Sequence, residues 1–86
     1  MQMIDVLERA KRQLADVTGL RPVTVTRASK ADEGWRIGVE MLEMTRIPSA
    51  TDVLGSYEVV LSEDGNMLKF ERKRTRLRGE AVEEEP

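Results

Sequence analysis

Beyond Pro22 the apolar residues of this chain fall on alternate positions, and that period limits most of the sequence to extended strands. Val23 and Val25 alternate with Thr24 and Thr26, and Trp35, Ile37, Val39 and Met41 alternate with Arg36, Gly38 and Glu40. Tyr57, Val59 and Leu61 begin a further run. A period of two sends successive side chains to opposite faces, so each run reads as a strand with one buried face. Ahead of Pro22 the spacing is three and four: Ile4, Leu7, Ala10, Leu14 and Val17 recur between Asp5, Glu8, Arg9, Lys11 and Arg12. This is an amphipathic helix from Met3 to about Val17, with Gly19 suited to a left-handed C-terminal cap and Pro22 blocking continuation.

The turns can be tested against the faces. A three-residue loop at Asp32-Glu33-Gly34 would pair Ala31 with Trp35, Val25 with Met41 and Val23 with Glu43. A turn centred on Asp64-Gly65 would pair Leu61 with Leu68, Val59 with Phe70, Tyr57 with Arg72 and Glu58 with Glu71. Both registers put apolar residues together, and a slip of one residue would turn each set to solvent. Pro48 through Asp52 reads as a corner between the second and third strands, because proline cannot donate to a ladder and Ser49, Thr51 and Asp52 can bond the local backbone. The expected fold is α+β: one N-terminal helix packed on a four-stranded antiparallel β-meander.

At 86 residues, with no cysteine, no histidine and three aromatics (Trp35, Tyr57, Phe70), the chain offers one small domain over 1–79. Disulfides and thiolate metal sites are excluded, and the usual general base is missing. No phosphate loop or nucleophile elbow is present, and the Glu63-Asp64-Gly65-Asn66 turn has too few spaced oxygens for calcium. Neither catalytic residues nor a cofactor or metal site is expected. No apolar run is long enough to span a membrane and no signal peptide is evident, which leads to the expectation of a cytoplasmic protein.

The net charge of −2 hides a sharp asymmetry. Lys69, Arg72, Lys73, Arg74, Arg76 and Arg78 surround a single acid, Glu71, while 80–86 carries Glu80, Glu83, Glu84 and Glu85. Residues 80–86 read as a solvated acidic tail. Simple alternation would continue Arg72, Arg74, Arg76 and Arg78 along the core face beyond Phe70, where they cannot all be buried. They are candidate partner-binding residues, with Glu40, Glu43 and Asp52 as a second patch; equally, charged edge positions discourage strand-to-strand aggregation. Stacking of nucleic-acid bases needs exposed aromatics, which argues against a nucleic-acid role for the basic strip. Leu42, Met44 and Val60 alternate away from the apolar face. They form a second apolar patch for a dimer mate or another protein, or else mark a β-bulge near Met41 to Thr45.

The run from Gly34 to Pro48 (Gly-Trp-Arg-Ile-Gly-Val-Glu-Met-Leu-Glu-Met-Thr-Arg-Ile-Pro), then Thr51-Asp52-Val53-Leu54, Tyr57-Glu58-Val59, Asp64-Gly65 and Arg72, Arg74 and Arg78-Gly79, resembles the gas vesicle protein O family. The likeness extends from about Leu20 to Gly79 and departs at Arg76, where an aromatic is expected. The resemblance implies a small, non-enzymatic accessory protein of gas vesicle formation. The partners it implies are the shell protein, other accessory proteins and an AAA-type ATPase.

Overall fold

A computed structural model of the chain describes residues 2–79. Helix α1 (Met3–Thr18) is followed by strands β1 (Arg21–Ala31), β2 (Gly34–Met44), β3 (Val53–Ser62) and β4 (Met67–Leu77), with a 3-10 turn at Ser49–Thr51. The strands form one antiparallel sheet in the order β1-β2-β3-β4, so each pairs with its sequence neighbour and the meander is confirmed. The reading of 80–86 as a solvated tail lies outside the described residues.

The helix ends at Gly19, which adopts φ 73° and donates its N–H to the Ala15 carbonyl. That left-handed geometry is what a residue without Cβ supplies at little cost. The buried face of α1 is Val6, Ala10 and Leu14 with Leu7 packed beside it, so the centre of the expected stripe is buried while its ends, Ile4 and Val17, are exposed and Val6 joins it. These three helical residues join Ile37, Val39, Met41, Tyr57, Val59 and Leu61 in one cluster, with Trp35, Val25 and Met67 packed at its margin. Gln13 bridges helix to sheet, donating to the Gly65 carbonyl at 2.6 Å and accepting the Met67 N–H at 2.7 Å. The helix is thereby tied to the β3–β4 turn as well as to the apolar layer.

Register differs from expectation in the two hairpins. Ala31 opposes Gly34 rather than Trp35, making the first loop Asp32-Glu33, and Lys30 opposes Trp35 with its ammonium 4.3 Å from the ring centroid. A cation over an indole face is favourable, which helps the tighter loop. Bulges between Pro22 and Thr24 and between Val25 and Arg27 then restore apolar pairing, setting Val25 against Val39 and Pro22 against Met41. In the second hairpin Val59–Phe70, Tyr57–Arg72 and Glu58–Glu71 pair as expected, but Met67 takes the place opposite Leu61 and Leu68 is turned out to solvent.

Two more bulges decide which way the charged side chains face. One falls between Leu42 and Met44, leaving Glu43 as the extra residue of β2. The other falls at Lys73, because Tyr57 opposes Arg72 while Ser56 opposes Arg74. An extra residue reverses the alternation beyond it. Arg74 and Arg76 therefore leave the core face that strict alternation assigns them and join the opposite one.

Candidate interaction surface

The ladder pairings place Arg21, Leu42, Leu54 and Arg76 side by side on the sheet face turned away from α1. The next rows are Thr24, Glu40, Ser56 and Arg74, then Arg27, Gly38, Glu58 and Glu71, and then Ser29, Arg36, Val60 and Lys69. Among the described residues no element covers this open face. Leu54 and Val60 are nevertheless buried (1% and 2% exposed), flanked by the long side chains of Arg76 on one row and Arg36 and Lys69 on the other. Arginine and lysine stems cover apolar surface while their heads stay in water. The bulge expected near Met41 to Thr45 is present at Glu43, and side-chain cover buries Val60 and half-buries Leu42, whereas Met44 stays 52% exposed.

Three of the four candidate arginines turn out to be paired with the three candidate carboxylates. Arg76 grips Glu40 with two parallel hydrogen bonds, Nε to Oε2 at 2.6 Å and a terminal nitrogen to Oε1 at 2.9 Å. Glu40 is 5% exposed, so this charge is held inside the open face by the guanidinium. Arg76 also donates to the carbonyls of Leu77 and Arg78. On the helix-side face, Arg72 forks onto Glu43 at 2.8 Å for both contacts, and the Tyr57 hydroxyl donates to the same carboxylate at 2.7 Å. The Arg72 hydrogen bond holds the Glu43 carboxyl below its usual range, against a smaller upward push from burial. Burial first, and then the bond to Glu43, raises the Tyr57 hydroxyl, and the Glu43 carboxylate raises Arg72. Gly55 makes room for this group, since a Cβ there would meet the Glu43 carboxylate and come within 3.0 Å of the Tyr57 ring.

Asp52 organises the end of the sheet where β2 passes to β3. Its carboxylate accepts the Arg46 N–H at 2.7 Å and the Arg78 guanidinium at 3.1 Å, and its carbonyl accepts the Arg78 N–H at 2.8 Å. Gly79 donates to the Ala50 carbonyl, so the chain end of β4 is stitched onto the corner. The corner also contains a cis Ile47-Pro48 bond and a fully exposed Ile47. Among the described residues, no buried side-chain nitrogen or oxygen lacks a hydrogen-bond partner.

The structure thus unites Arg76 with Glu40, Arg72 with Glu43 and Arg78 with Asp52, on two faces and one end of the sheet. Arg74 differs. It is exposed on the open face and, among the described residues, has no carboxylate within ion-pairing distance. Sequence reasoning missed Arg21, Arg27, Arg36 and Lys69 as members of the same surface. Arg27 and Arg36 share Glu58, at 3.0 and 3.5 Å, while Lys73 bonds Glu71 at 3.2 Å, which eases the Glu58–Glu71 opposition. Only the strand order brings these distant arginines together.

The model of the family described as "Gas vesicle synthesis protein GvpO" matches residues 1–82. The chain belongs to the GvpO family. It is similar to Gas vesicle protein O of a Streptomyces species, 38% identical over 74 residues, which is 86% of this chain and 58% of that protein. It is also similar to Gas vesicle protein O1 of Halobacterium salinarum, 32% identical over 76 residues (88% of this chain, 64% of that protein). Gas vesicle protein O of Haloferax mediterranei is 35% identical over 52 residues, covering 60% of this chain and 37% of that protein. The chain therefore spans about three-fifths of the length of the first two GvpO relatives. No solved structure matches. Among the described residues of this GvpO member, no helix is long and apolar enough to cross a membrane, and no group of three or more acidic side chains could hold a metal ion.

Proposed function

We propose that this protein is a cytoplasmic accessory factor in gas vesicle formation that works without catalysis, by binding another protein of the vesicle machinery. Membership of the family supports the setting. The binding role is supported by one observation above all: Arg74 stands exposed, with no ion-pair partner among the described residues, on a sheet face that no described element covers, between neighbours already fixed by ion pairs. The two buried acids, Glu40 and Asp52, are each consumed by a guanidinium, an arrangement that builds a rigid surface rather than a poised base. In this reading the Arg76–Glu40, Arg78–Asp52 and Arg72–Glu43 pairs hold a fixed charge pattern, and Arg74 makes the new contact. The candidate partners are the shell protein, the other accessory proteins and the AAA-type ATPase of vesicle-forming cells, with a second copy of the chain as a further binding mode.

The test is an Arg74→Glu variant in cells lacking the native protein, scored for vesicles and for co-purification with each candidate partner. The variant should abolish capture of one partner while its thermal unfolding stays within about 0.5 kcal/mol of the parent, as for most exposed substitutions. Unchanged capture and normal vesicles would reject the reading. The excess of cations on the open face also suits nucleic acid, and a DNA titration separates the two. Binding that persists near physiological salt would favour a regulator of nucleic acid, and binding that vanishes there favours the protein partner.

A further inference from the structure

Among the described residues no large apolar side chain is as exposed as Ile47, which stands wholly in solvent in the corner between β2 and β3. Single apolar side chains are common on protein surfaces, so exposure alone assigns it nothing. Its surroundings add more. On one side the Arg46 N–H is fixed by the Asp52 carboxylate at 2.7 Å. On the other, the Pro48 carbonyl accepts the Thr51 N–H at 3.0 Å and the Thr51 hydroxyl at 2.7 Å. Asp52 is itself held by Arg78, and Gly79 closes the corner through the Ala50 carbonyl. The backbone flanking Ile47 is therefore ordered before any partner arrives, which lowers the entropy lost on docking.

A second apolar side chain and a group of cations share this end of the sheet. Met44, 52% exposed, ends β2, and Arg46 Nε donates to its sulfur at 3.5 Å. Arg21 opposes Leu42, two positions before Met44, and Arg74 lies one row further into the open face than Arg76. Arg21, Arg46 and Arg74 are exposed and have no carboxylate partner among the described residues. The three aromatics belong to the helix side of the sheet, where Trp35 and Tyr57 join the core and Phe70 lies against Tyr57 at 6.5 Å between centroids. No ring at this end can stack on a base. Two exposed apolar side chains offer little area to bury in a lipid surface, where binding scales with that area. Cations around a small, fixed apolar contact instead complement a protein segment that carries both acids and apolar side chains.

We propose that this corner anchors the partner interface: Ile47, together with Met44, packs on the apolar side of an acidic amphipathic segment of another protein, whose carboxylates meet Arg21, Arg46 and Arg74. The inference rests on the reading of the open face as a partner-binding surface and names what the partner presents to it. The two kinds of contact divide the work. The surface cations steer the encounter and weaken with salt, whereas burial of the isoleucine supplies affinity that salt does not screen.

The experiment titrates purified full-length protein into fluorescein-labelled peptides held at nanomolar concentration and followed by anisotropy. Three peptides are compared, each of four repeats: Glu-Leu-Leu-Glu, Glu-Ala-Ala-Glu and Lys-Leu-Leu-Lys. The parent should bind the first about tenfold tighter than the second, for the apolar area gained, and tighter than the third, for charge. Ile47→Ser should erase the preference for leucine over alanine while its thermal midpoint stays within about 4 °C of the parent, because the side chain is fully exposed. The double variant Arg46→Glu/Arg74→Glu should lose the preference for glutamate over lysine. Leu68→Ser removes another exposed apolar side chain, at the opposite end of the sheet, and should bind all three peptides as the parent does.

A leucine preference that survives Ile47→Ser, or that falls equally in Leu68→Ser, would overturn the proposal, as would a parent that binds none of the peptides. Tighter binding of the parent to a duplex DNA or to phosphatidylserine liposomes than to the first peptide, at physiological salt, would also overturn it. A parent that sediments as a dimer and becomes monomeric in Ile47→Ser would assign the anchor to a second copy and reject the acidic segment. The probes contain no vesicle protein, so the two readings fail separately. Loss of gas vesicles in Arg74→Glu beside a leucine preference unmoved by Ile47→Ser would keep the binding surface and remove the anchor. Normal gas vesicles in Arg74→Glu beside a preference lost in Ile47→Ser would keep the anchor and remove the role given to Arg74.

Discussion

Truncating Glu40 to alanine strips the carboxylate from a site where it is 5% exposed and held by two guanidinium bonds at 2.6 and 2.9 Å, leaving Arg76 with its charge half inside the sheet. Breaking a buried pair by removing one member costs about 3–5 kcal/mol. Arg76 keeps some access to water, with a side chain 23% exposed, and retains its bonds to the Leu77 and Arg78 carbonyls. The expected cost is therefore nearer 2–4 kcal/mol, since partial hydration and these remaining bonds relieve the guanidinium. At about 4–8 °C per kcal/mol for a domain of this size, the midpoint of thermal unfolding should fall by roughly 8–32 °C. Calorimetry on Glu40→Leu, Arg76→Met and the double variant Glu40→Leu/Arg76→Met completes a cycle, with Glu40→Ala measured beside it. The double variant should be more stable than Glu40→Ala, because apolar replacements of similar volume avoid the desolvation of both charges. A loss under about 1 kcal/mol for Glu40→Ala, or additive losses in the cycle, would refute the claim that this pair holds the open face together.

Three further outcomes are expected from the geometry. Glu43 has its carboxyl lowered in the folded state, chiefly by the Arg72 hydrogen bond, so its contribution is present above the unfolded carboxyl range near pH 4.3 and is lost as pH falls through the lower folded value. The acid limb of the stability curve should thus flatten in Glu43→Gln, and an unchanged acid limb in urea titrations would contradict the assignment. Gly55→Ala places a methyl against the Glu43 carboxylate and the Tyr57 ring, and should cost about 1–3 kcal/mol by chemical denaturation as the group is pushed apart. Gly19→Ala meets nothing within 4 Å, so its loss, about 1–2 kcal/mol, comes from the backbone at φ 73° alone, and Gly19→Asn should recover part of it.

Period and turn chemistry were enough to assign the helix, the four strands, their order and most of the buried face, because burial of one face of a pleated strand writes itself directly into alternate positions. Ile37, Val39, Met41, Tyr57, Val59 and Leu61 share the core as alternation requires. The same reading picked out Glu40, Glu43, Asp52 and the arginines of β4 as exceptional, since charges at such spacing conflict with burial. What it could not decide was who meets whom. Those pairings hang on single extra residues at Glu43 and Lys73, which reverse a strand's facing while leaving no periodic trace of their own. They hang equally on contacts between residues 26 to 36 positions apart, as in Arg78–Asp52, Arg72–Glu43 and Arg76–Glu40, that exist only once the sheet has closed. Charge is set residue by residue along the chain, but its neutralisation is a property of distance in space, so only the folded sheet could separate the three engaged arginines from the exposed Arg74.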